Sequence, residues 1–377
     1  MKAVVSIDSF KGSLSSLQAG QAVKDAILRL DGSASVTVKP LADGGEGTVE
    51  ALASGFDSEM VEIRVKGPLQ KPVMAKYCIL KDTNTAVIEM AAASGITLIS
   101  AAQRNPLDTT TFGVGELITD AVNRGCRRFV VGIGGSATND GGTGMLTALG
   151  YAFLDKKGDP IALGAKGLQD LYQIKTDHVI PELMQCSFYI ACDVTNPLCG
   201  DTGCSAVFGP QKGATPDMIR DMDGWLENYA AITKTVFKKA DKDHPGAGAA
   251  GGLGFAFLAF TNAQLRSGIQ IVLDETKLED VIRDADIVVT GEGRLDSQTV
   301  MGKAPIGVAE LAKKYGKPVI AFSGCVTQDA EVCNEHGIDA FFPILRNIST
   351  LEEALDTPNA YQNLSATAYQ VFRLIMR

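Results

Sequence analysis

The chain has 377 residues, of which 45% are hydrophobic and 21% charged, and its formal net charge is −9 at pH 7. This length permits a full hydrophobic core and favours two domains over one. The negative charge gives no electrostatic reason to expect nucleic acid or an anionic membrane as a partner, so an anionic ligand would have to be captured by local cations.

Cysteine and histidine residues are dispersed along the chain. The eight cysteines form no CxxC pair, and the three histidines are His178, His244 and His336. This spacing predicts neither a zinc site nor a disulfide framework, and it is typical of a reducing compartment. The first residues lack a signal-peptide pattern, and the longest apolar segment, near Leu253 to Phe260, is too short for a membrane helix. We therefore expect a cytoplasmic protein.

The first thirty residues predict a strand, a loop and a helix. Lys2 to Ile7 has the pattern of a buried strand, and Ser15 followed by Gln18 is a capping-box pattern for an amphipathic helix. In open α/β sheets, ligands bind in loops at the carboxyl ends of strands. Lys11 and Ser13 lie in such a loop and are candidates for ligand binding. The alternative for Lys11 is a lysine that is only solvated.

The next strand-to-helix junction carries two acidic residues among glycines. Val36 to Leu41 predicts a strand, and it leads into Asp43 and Glu46. Two such carboxylates can hold Mg²⁺, or they can act as the N-cap and N3 residues of the following helix. We predict metal binding for Asp43 and capping for Glu46.

The middle of the chain predicts a second sheet of a different kind. Strand patterns at 60–65, 73–80 and 85–90 follow one another with little helix between them, which indicates antiparallel or mixed pairing. Gly67 and Pro68 mark a turn at which a second domain begins. The helix predicted over 113–124 is followed by Gly125, where a C′ glycine is expected.

A glycine-dense loop, residues 132–144, connects a strand ending near Val131 to a helix beginning near Met145. Glycines admit positive φ and expose backbone N–H groups, and a helix N-terminus behind them favours an anion such as phosphate. The alternative is a tight turn whose glycines only allow close packing. The predicted phosphate-binding residues are Gly134, Gly135, Ser136, Thr138 and Asn139.

A carboxylate follows another strand pattern. The run from Cys186 to Cys192 leads directly into Asp193, and Pro197 stiffens the loop beyond it. An aspartate at the end of a buried strand is a good position for a general base, and a structural aspartate that caps its loop is the alternative.

Glycines 246, 248 and 251 form a GxGxxG string, but no strand precedes it, so the dinucleotide-binding context is missing. We expect a helix N-terminus that packs closely on another segment. From Asp286 onward strands and helices alternate, as they do in the first fifty residues. A doubly wound parallel sheet that both chain ends share is the natural prediction.

The arrangement favours phosphoryl transfer over other chemistries. No histidine or cysteine constellation supports acyl transfer or zinc hydrolysis, whereas phosphoryl transfer needs phosphate clamps, Mg²⁺ and a carboxylate. The P-loop string is absent, because Ala304 follows Gly302 and Lys303, and the protein-kinase motif set is also absent.

Two alternatives of other classes remain at this point. A nicotinamide-dependent oxidoreductase acting on a small hydroxy acid is the main one, because Gly132, Gly134 and Ala137 match a loose dinucleotide pattern, with Asp155 further on. A small-ligand sensor without enzymatic activity would need a DNA-binding or signalling module, and none is evident.

Seven strings in order resemble the bacterial glycerate kinase family of the two-domain α/β type, over essentially the whole chain. They are IDSFKGSLS, PLADGGEGTVEA, GIGGSATNDGGTGM, ACDVTNPL, FGPQKGA, GAGAAGGLG and GEGRLDSQT. The resemblance implies ATP-dependent and Mg²⁺-dependent phosphorylation of D-glycerate, expected on the 2-hydroxyl, by a monomer or homodimer. It also implies a Rossmann-like domain of residues 1–68 and 275–377, an inserted mixed-sheet α/β domain of residues 69–274, and an active site in the cleft between them.

The resemblance also implies roles for single residues. Asp193 matches the family's proposed catalytic base, and Lys11 would neutralise the glycerate carboxylate or the transferring phosphoryl group. Arg294 would pair bidentately with that carboxylate, while Asp296, with Ser9, would hold a hydroxyl. Lys212, in the FGPQKGA string, joins the phosphate-binding set.

Overall fold

The computed structural model describes residues 1–42 and 47–377, so the predicted roles of Asp43 and Glu46 lie outside the described residues. The strands of the described part, in chain order, are β1 Lys2–Val5, β2 Ser35–Val38, β3 Ser58–Lys66, β4 Pro72–Leu80, β5 Thr85–Glu89, β6 Arg128–Gly132, β7 Ala152–Leu154, β8 Gln173–Lys175, β9 Ser187–Ala191, β10 Ala263–Arg266, β11 Ile287–Leu295, β12 Val319–Val326 and β13 Ala340–Pro343.

Helices connect most of these strands. In chain order the α-helices are α1 Ser16–Leu30, α2 Thr48–Gly55, α3 Ala91–Ser94, α4 Phe112–Asn123, α5 Thr143–Ala148, α6 Cys204–Phe208, α7 Pro216–Val236, α8 Ala249–Phe260, α9 Gly268–Glu275, α10 Leu278–Ile282, α11 Ala304–Lys314, α12 Val332–Glu335, α13 Leu351–Leu355 and α14 Thr357–Ile375. Short 3₁₀ turns lie at Ile96–Leu98, Ala101–Gln103, Ala165–Asp170, Pro181–Gln185, Pro210–Lys212 and Gln328–Glu331. Among the helices of the described residues, none combines the length and the apolar character that crossing a bilayer requires.

The chain divides into two compact units. Unit 1 comprises residues 1–56 and 267–377, and unit 2 comprises residues 57–266. The divisions fall earlier than the expected 68/69 and 274/275. At the first, β3 pairs along its whole length with β4, from Ser58 opposite Leu80 to Lys66 opposite Pro72. At the second, α9 packs so closely on α11 that a Cβ on Gly307 would lie 2.5 Å from Ile269.

Unit 1 is built on one parallel sheet in the order β13-β12-β11-β1-β2, so both chain ends contribute to it, as predicted. Alternate residues face opposite sides, as strand geometry requires. Val5 and Val289 pack in one core with Val23 of α1 and Phe372 of α14. The neighbouring residue Val4 is also buried, and α11 packs on β11. Helices therefore cover both faces of the sheet.

The predicted capping box at α1 is confirmed. The Ser15 hydroxyl accepts a hydrogen bond from the Gln18 amide, and the Gln18 side chain accepts one from the Ser15 amide at 2.9 Å. The next hydroxyl, on Ser16, donates to the Ile7 carbonyl at 2.7 Å and accepts from the Leu41 amide at 2.8 Å. The start of α1 thus ties together the chain segments that leave β1 and β2.

Unit 2 contains a six-stranded sheet in the order β10-β9-β6-β5-β4-β3, and β7 pairs antiparallel with β8 apart from it. The pairs β3–β4 and β4–β5 are antiparallel and the remaining pairs are parallel, so the prediction of mixed pairing is confirmed. Phe129 of β6 and Phe188 of β9 are register partners whose rings stack at 4.7 Å, and Phe257 of α8 packs on Phe188. Gly125 has φ +91° directly after the cap of α4, as predicted.

Candidate active site

The sheet of unit 1 has a topological switch point between β1 and β11. From β1 the chain passes through α1 to β2 on one side, and from β11 it passes through α11 to β12 on the other side. In open parallel sheets this arrangement leaves a crevice at the carboxyl ends of the two central strands, and ligands bind there. A pocket of about 320 Å³ occupies this position and is lined by Asp8, Ser9, Lys11, Glu292, Gly293, Arg294 and Lys303.

The loop after β1 is held against the end of β11. The Asp8 amide donates to the Gly291 carbonyl at 2.9 Å, and the buried Phe10 forms a short bridge with Leu14. A Cβ on Gly293 would come within 3.3 Å of the Phe10 Cα, so the two backbones approach closely. Because Phe10 is anchored inward, the neighbouring residues Ser9 and Lys11 are presented at the pocket.

Ion pairs and hydrogen bonds orient the charged groups contributed by β11 and by the segment before α11. The Arg294 Nε lies 3.1 Å from the Asp296 Oδ2, and the Lys303 Nζ lies 3.6 Å from the Asp296 Oδ1. Lys303 is also 3.7 Å from the Glu292 Oε2, and the Thr299 hydroxyl donates to the Glu292 Oε1 at 2.7 Å. The contact with Asp296 occupies one edge of the Arg294 guanidinium, whose side chain is 64% exposed. Its two terminal nitrogens form a second two-donor edge that suits a carboxylate.

The structure brings Ser9, Lys11 and Arg294 together in one pocket, with Asp296 bound to Arg294 beside it. Asp8, Glu292 and Lys303 also line this pocket and were not predicted as site residues. Glu292 follows the same strand pattern that precedes Arg294, and this position is a usable signal. Lys303 approaches the pocket because α11 begins directly after it, which the sequence pattern does not indicate.

Among the described residues of this region, three cations lie beside three carboxylates. A ligand with one carboxylate and several hydroxyl groups suits such a set, because cations pair with its carboxylate and carboxylates accept from its hydroxyls. The cations are Lys11, Arg294 and Lys303, and the carboxylates are Asp8, Glu292 and Asp296.

In unit 2 the glycine-rich loop and Asp193 lie at the same edge of the sheet. β6 and β9 are parallel neighbours, and Gly132 is the register partner of Ala191. Gly134 and Asp193 each follow two residues beyond this pair, at the carboxyl ends of adjacent strands. The Asp193 side chain is exposed. Unit 2 therefore combines an exposed carboxylate with exposed backbone groups at one sheet edge.

The glycine-rich loop has an exposed part and a buried part. Gly134 and Gly135 are exposed and Ser136 is half-buried, whereas Thr138 and Asn139 are completely buried. Gly135 has φ +72°, which requires glycine, and its carbonyl accepts from the Ile96 amide at 2.9 Å. We call Gly134, Gly135 and Ser136 the loop rim.

The Asp140 carboxylate holds the buried part from within. It accepts hydrogen bonds from the Thr111 amide at 2.8 Å, the Thr111 hydroxyl at 2.9 Å and the Gly142 amide at 3.1 Å. Burial raises the pKa of Asp140, and these hydrogen bonds oppose that rise. Asp140 thus fixes the turn that leads into α5 and does not reach a ligand.

Lys212 also points into the interior, where its side chain is 1% exposed and its Nζ donates to the Thr138 carbonyl at 2.6 Å. Burial lowers the pKa of Lys212 to about 8, opposed by Cys204 and Asp140 nearby. The Asn139 amide group donates to the Ser205 hydroxyl at 2.9 Å. Thr138, Asn139 and Lys212 are thus buried in this structure, and contact of their side chains with a phosphate stays a prediction.

The segment with the GxGxxG string packs on the back of this loop. Ala250, Gly251 and Gly252 form a left-handed turn with φ of 52°, 67° and 90°. A Cβ on Gly251 would lie 2.0 Å from the Thr138 carbonyl oxygen, and the Gly251 carbonyl accepts from the Gly141 amide at 2.9 Å. The prediction of close packing is confirmed, and the segment it packs on is the glycine-rich loop.

Replacement of Lys212 by methionine should change how stability depends on pH. The folded protein holds Lys212 at a pKa of about 8 against 10.5 for an unperturbed lysine. Between these values the unfolded chain binds the proton and the folded protein does not, so stability rises with pH. From pH 7 to pH 9.5 the free energy of unfolding of the unmodified protein should therefore rise by about 2 kcal/mol more than that of Lys212→Met. Urea denaturation of both proteins measures this difference, and a constant difference would contradict the prediction.

Comparisons with known proteins give matches to one family over essentially the whole chain. Residues 3–376 match the model of the glycerate kinase family. The chain is 47% identical to the glycerate kinase of Haemophilus influenzae, covering 100% of this chain and 99% of that protein. It is 48% identical to the glycerate 2-kinase of Escherichia coli K12, covering 97% and 95%. A crystal structure described as glycerate kinase 2 from Salmonella typhimurium LT2 superimposes with a TM-score of 0.93 at 48% identity, covering 100% of this chain and 98% of that one. The chain belongs to the glycerate kinase family.

Proposed function

We propose that the protein transfers the γ-phosphoryl group of ATP to the 2-hydroxyl of D-glycerate, giving 2-phospho-D-glycerate and ADP. The observation that carries the proposal is the pocket at the switch point of unit 1, where both cations and carboxylates line a volume of about 320 Å³. Glycerate has one carboxylate and two hydroxyl groups, and this set has partners for each of them. Membership of the family and the name glycerate 2-kinase of the relative from E. coli support the reaction.

In this proposal unit 1 holds glycerate. The terminal nitrogens of Arg294 bind the carboxylate in a bidentate manner, because the ion pair with Asp296 occupies only its Nε edge. Ser9 and Asp296 bind a hydroxyl group, and Lys11 neutralises the carboxylate or the transferring phosphoryl group. Glu292, which Thr299 and Lys303 hold in place, is a further acceptor for a hydroxyl.

Unit 2 supplies the base and the phosphate contacts. Asp193 accepts the proton of the 2-hydroxyl while that oxygen forms a bond to the γ-phosphorus and the bond from phosphorus to the β–γ bridging oxygen breaks, so ADP leaves with the electron pair. The backbone of the loop rim binds the phosphates, because Gly134 and Gly135 are exposed whereas Thr138 and Asn139 are not.

The proposed reaction also requires Mg²⁺, which would bind together with the nucleotide. Within residues 1–42 and 47–377, no group of three or more histidine, cysteine, aspartate or glutamate residues is placed to hold a metal ion. Mg²⁺ in phosphoryl-transfer enzymes is usually held by one or two carboxylates together with the substrate phosphates, so a cluster of three protein ligands is not required. Asp43 is proposed as one of these carboxylates, and the ion would neutralise charge on the phosphates.

The oxidoreductase alternative is not favoured. A dinucleotide site needs a helix directly after its glycines and a carboxylate for the ribose. Here α5 begins only at Thr143, beyond the buried part of the loop. The Asp155 carboxylate instead accepts from the Lys157 amide at 2.8 Å and the Asp159 amide at 2.9 Å within its own turn.

A ³¹P NMR time course of the purified protein with D-glycerate, ATP and Mg²⁺ tests both the reaction and its position. We expect a 2-phosphoglycerate signal that grows together with ADP. A 3-phosphoglycerate signal would retain the kinase and overturn the assignment of the 2-hydroxyl. Absence of any phosphorylated product would contradict the proposed function.

Asp193→Asn should lower kcat by roughly two to four decades with a modest change in KM, because the variant keeps the shape of the side chain but accepts no proton. Steady-state kinetics with both substrates measure the effect. Asp201→Asn, at another exposed aspartate of the same unit, is the matched control and should retain activity. Turnover of Asp193→Asn close to that of the unmodified protein would remove Asp193 from the role of base.

Arg294→Ala should raise the KM for glycerate about 10- to 100-fold and change the KM for ATP little, because a charged two-donor partner of the carboxylate is lost. Arg283→Ala removes another arginine of unit 1, which stacks on the Tyr315 ring at 5.5 Å, and serves as the control. If the KM for ATP rises and that for glycerate does not, the two substrate sites are interchanged.

A further inference from the structure

Lys212 is a buried cation without a place in the chemistry proposed above. It ends the 3₁₀ turn Pro210–Lys212, and the following Gly213 has φ +93°. A Cβ on Gly213 would lie 2.4 Å from the Arg104 carbonyl oxygen, so the backbone beside Lys212 is closely packed. The side chain therefore enters the interior of unit 2 from a fixed starting point.

Burial of the Lys212 amine costs free energy, and the need to fill space does not explain why a lysine stands here. An apolar side chain of similar length would fill the same space without removing a charge from water. What the amine adds is a directed donor to one acceptor, the Thr138 carbonyl at 2.6 Å. That carbonyl belongs to the glycine-rich loop.

The residues that follow the loop rim are held from several directions. The Thr109 hydroxyl donates to the Ala137 carbonyl at 2.9 Å, and Ser205 accepts from the Asn139 side chain at 2.9 Å. Gly251 closes over the Thr138 carbonyl from a third side, where it leaves no room for a Cβ. The rim thus spans two fixed points, the end of β6 and the peptide group of Thr138.

We propose that Lys212 is a positioning residue: by binding the Thr138 carbonyl from inside unit 2, it holds the second end of the loop rim and so keeps the rim amides in the conformation that receives phosphate. This inference rests on the proposed role of the rim in binding ATP. Lys212 itself contacts no ligand, in contrast to the expectation from the FGPQKGA string.

A positioning role and a direct contact differ in their dependence on pH. The groups near Lys212 that affect its ionisation are the Cys204 thiol and the Asp140 carboxylate. A neutral amine still donates a hydrogen bond to a carbonyl, so loss of the proton near pH 8 leaves the rim in place. A lysine that binds phosphate directly would lose most of its attraction over the same range, and the KM for ATP would rise.

The variant Lys212→Met tests the positioning role, and Lys234→Met is its matched control. Lys234 also donates to a backbone carbonyl of unit 2, that of Ala240, at 2.6 Å, but away from the loop. We expect Lys212→Met to lower kcat/KM for ATP roughly 10- to 100-fold, as displacement of positioned groups by about an ångström does, while the KM for glycerate changes less than about threefold. Lys234→Met should match the unmodified protein. Equal kinetics of Lys212→Met and the unmodified protein, or equal losses in both variants, would overturn the proposal.

Amide hydrogen exchange provides a readout that does not need activity. In Lys212→Met, exchange within residues 132–144 should become faster while exchange in β5 and β9 stays unchanged, because only one end of the rim is released. Unchanged exchange in this segment would overturn the proposal even if the protein proved to phosphorylate nothing, so its failure is distinguishable from failure of the proposed function.

A third experiment measures the KM for ATP of the unmodified protein as a function of pH, and it remains decisive if Lys212→Met does not fold. Its KM for ATP should stay constant within about twofold from pH 7.5 to 9.5, since the hydrogen bond persists in the neutral amine. A rise in this KM centred near the pKa of Lys212, about 8, would assign the lysine to direct phosphate binding and overturn the positioning role.

Discussion

Parallel pairing of β1 with β11 is the constraint on which unit 1 depends. Ala3 pairs with Ile287 and Val5 with Val289, so residues from opposite ends of the chain form the centre of one sheet. Such a contact closes a very long loop, and its entropic cost must be offset by burial on both faces of the sheet. The same pairing creates the switch point, because the chain passes from β1 to β2 on one side of this pair and from β11 to β12 on the other side. The charged pocket is therefore a direct consequence of the topology.

Both units use the carboxyl ends of parallel strands, but they offer different kinds of recognition there. Unit 1 presents charged side chains whose ion pairs fix their direction, such as Arg294 on Asp296 and Lys303 between Glu292 and Asp296. Unit 2 presents exposed backbone at Gly134 and Gly135 beside the exposed Asp193, whereas Thr138 and Asn139 of the same loop are buried. Charged side chains discriminate among small hydroxy acids, whereas backbone amides bind any phosphate of suitable geometry.

Local rules predicted much of the fold and part of the site. The capping box at Ser15, the C′ position of Gly125 and the mixed pairing of the second sheet follow from short-range patterns, and the structure confirms them. Lys11 was predicted because ligands bind in loops at the carboxyl ends of parallel strands, whereas Ser9 and Arg294 were predicted from the resemblance to the family. The inward direction of Thr138 and Lys212 was not predictable in this way. The Thr138 carbonyl that Lys212 binds packs against Gly251, a residue distant in sequence whose missing Cβ makes room for it.

A glycine-rich loop that binds a ligand through its backbone groups has to be held in one conformation. Each glycine gains access to conformations closed to other residues, and each also increases the entropy that folding must remove. Two of the three rim residues, Gly134 and Gly135, have no side chain with which to restrain the rim. Restraint has to come from neighbouring segments, which here are the Ile96 amide at the rim and Thr109, Ser205, Lys212 and Gly251 behind it. In the proposed arrangement the buried residues that follow the rim support it, and the hydrogen bond from Lys212 to the Thr138 carbonyl adds to that support.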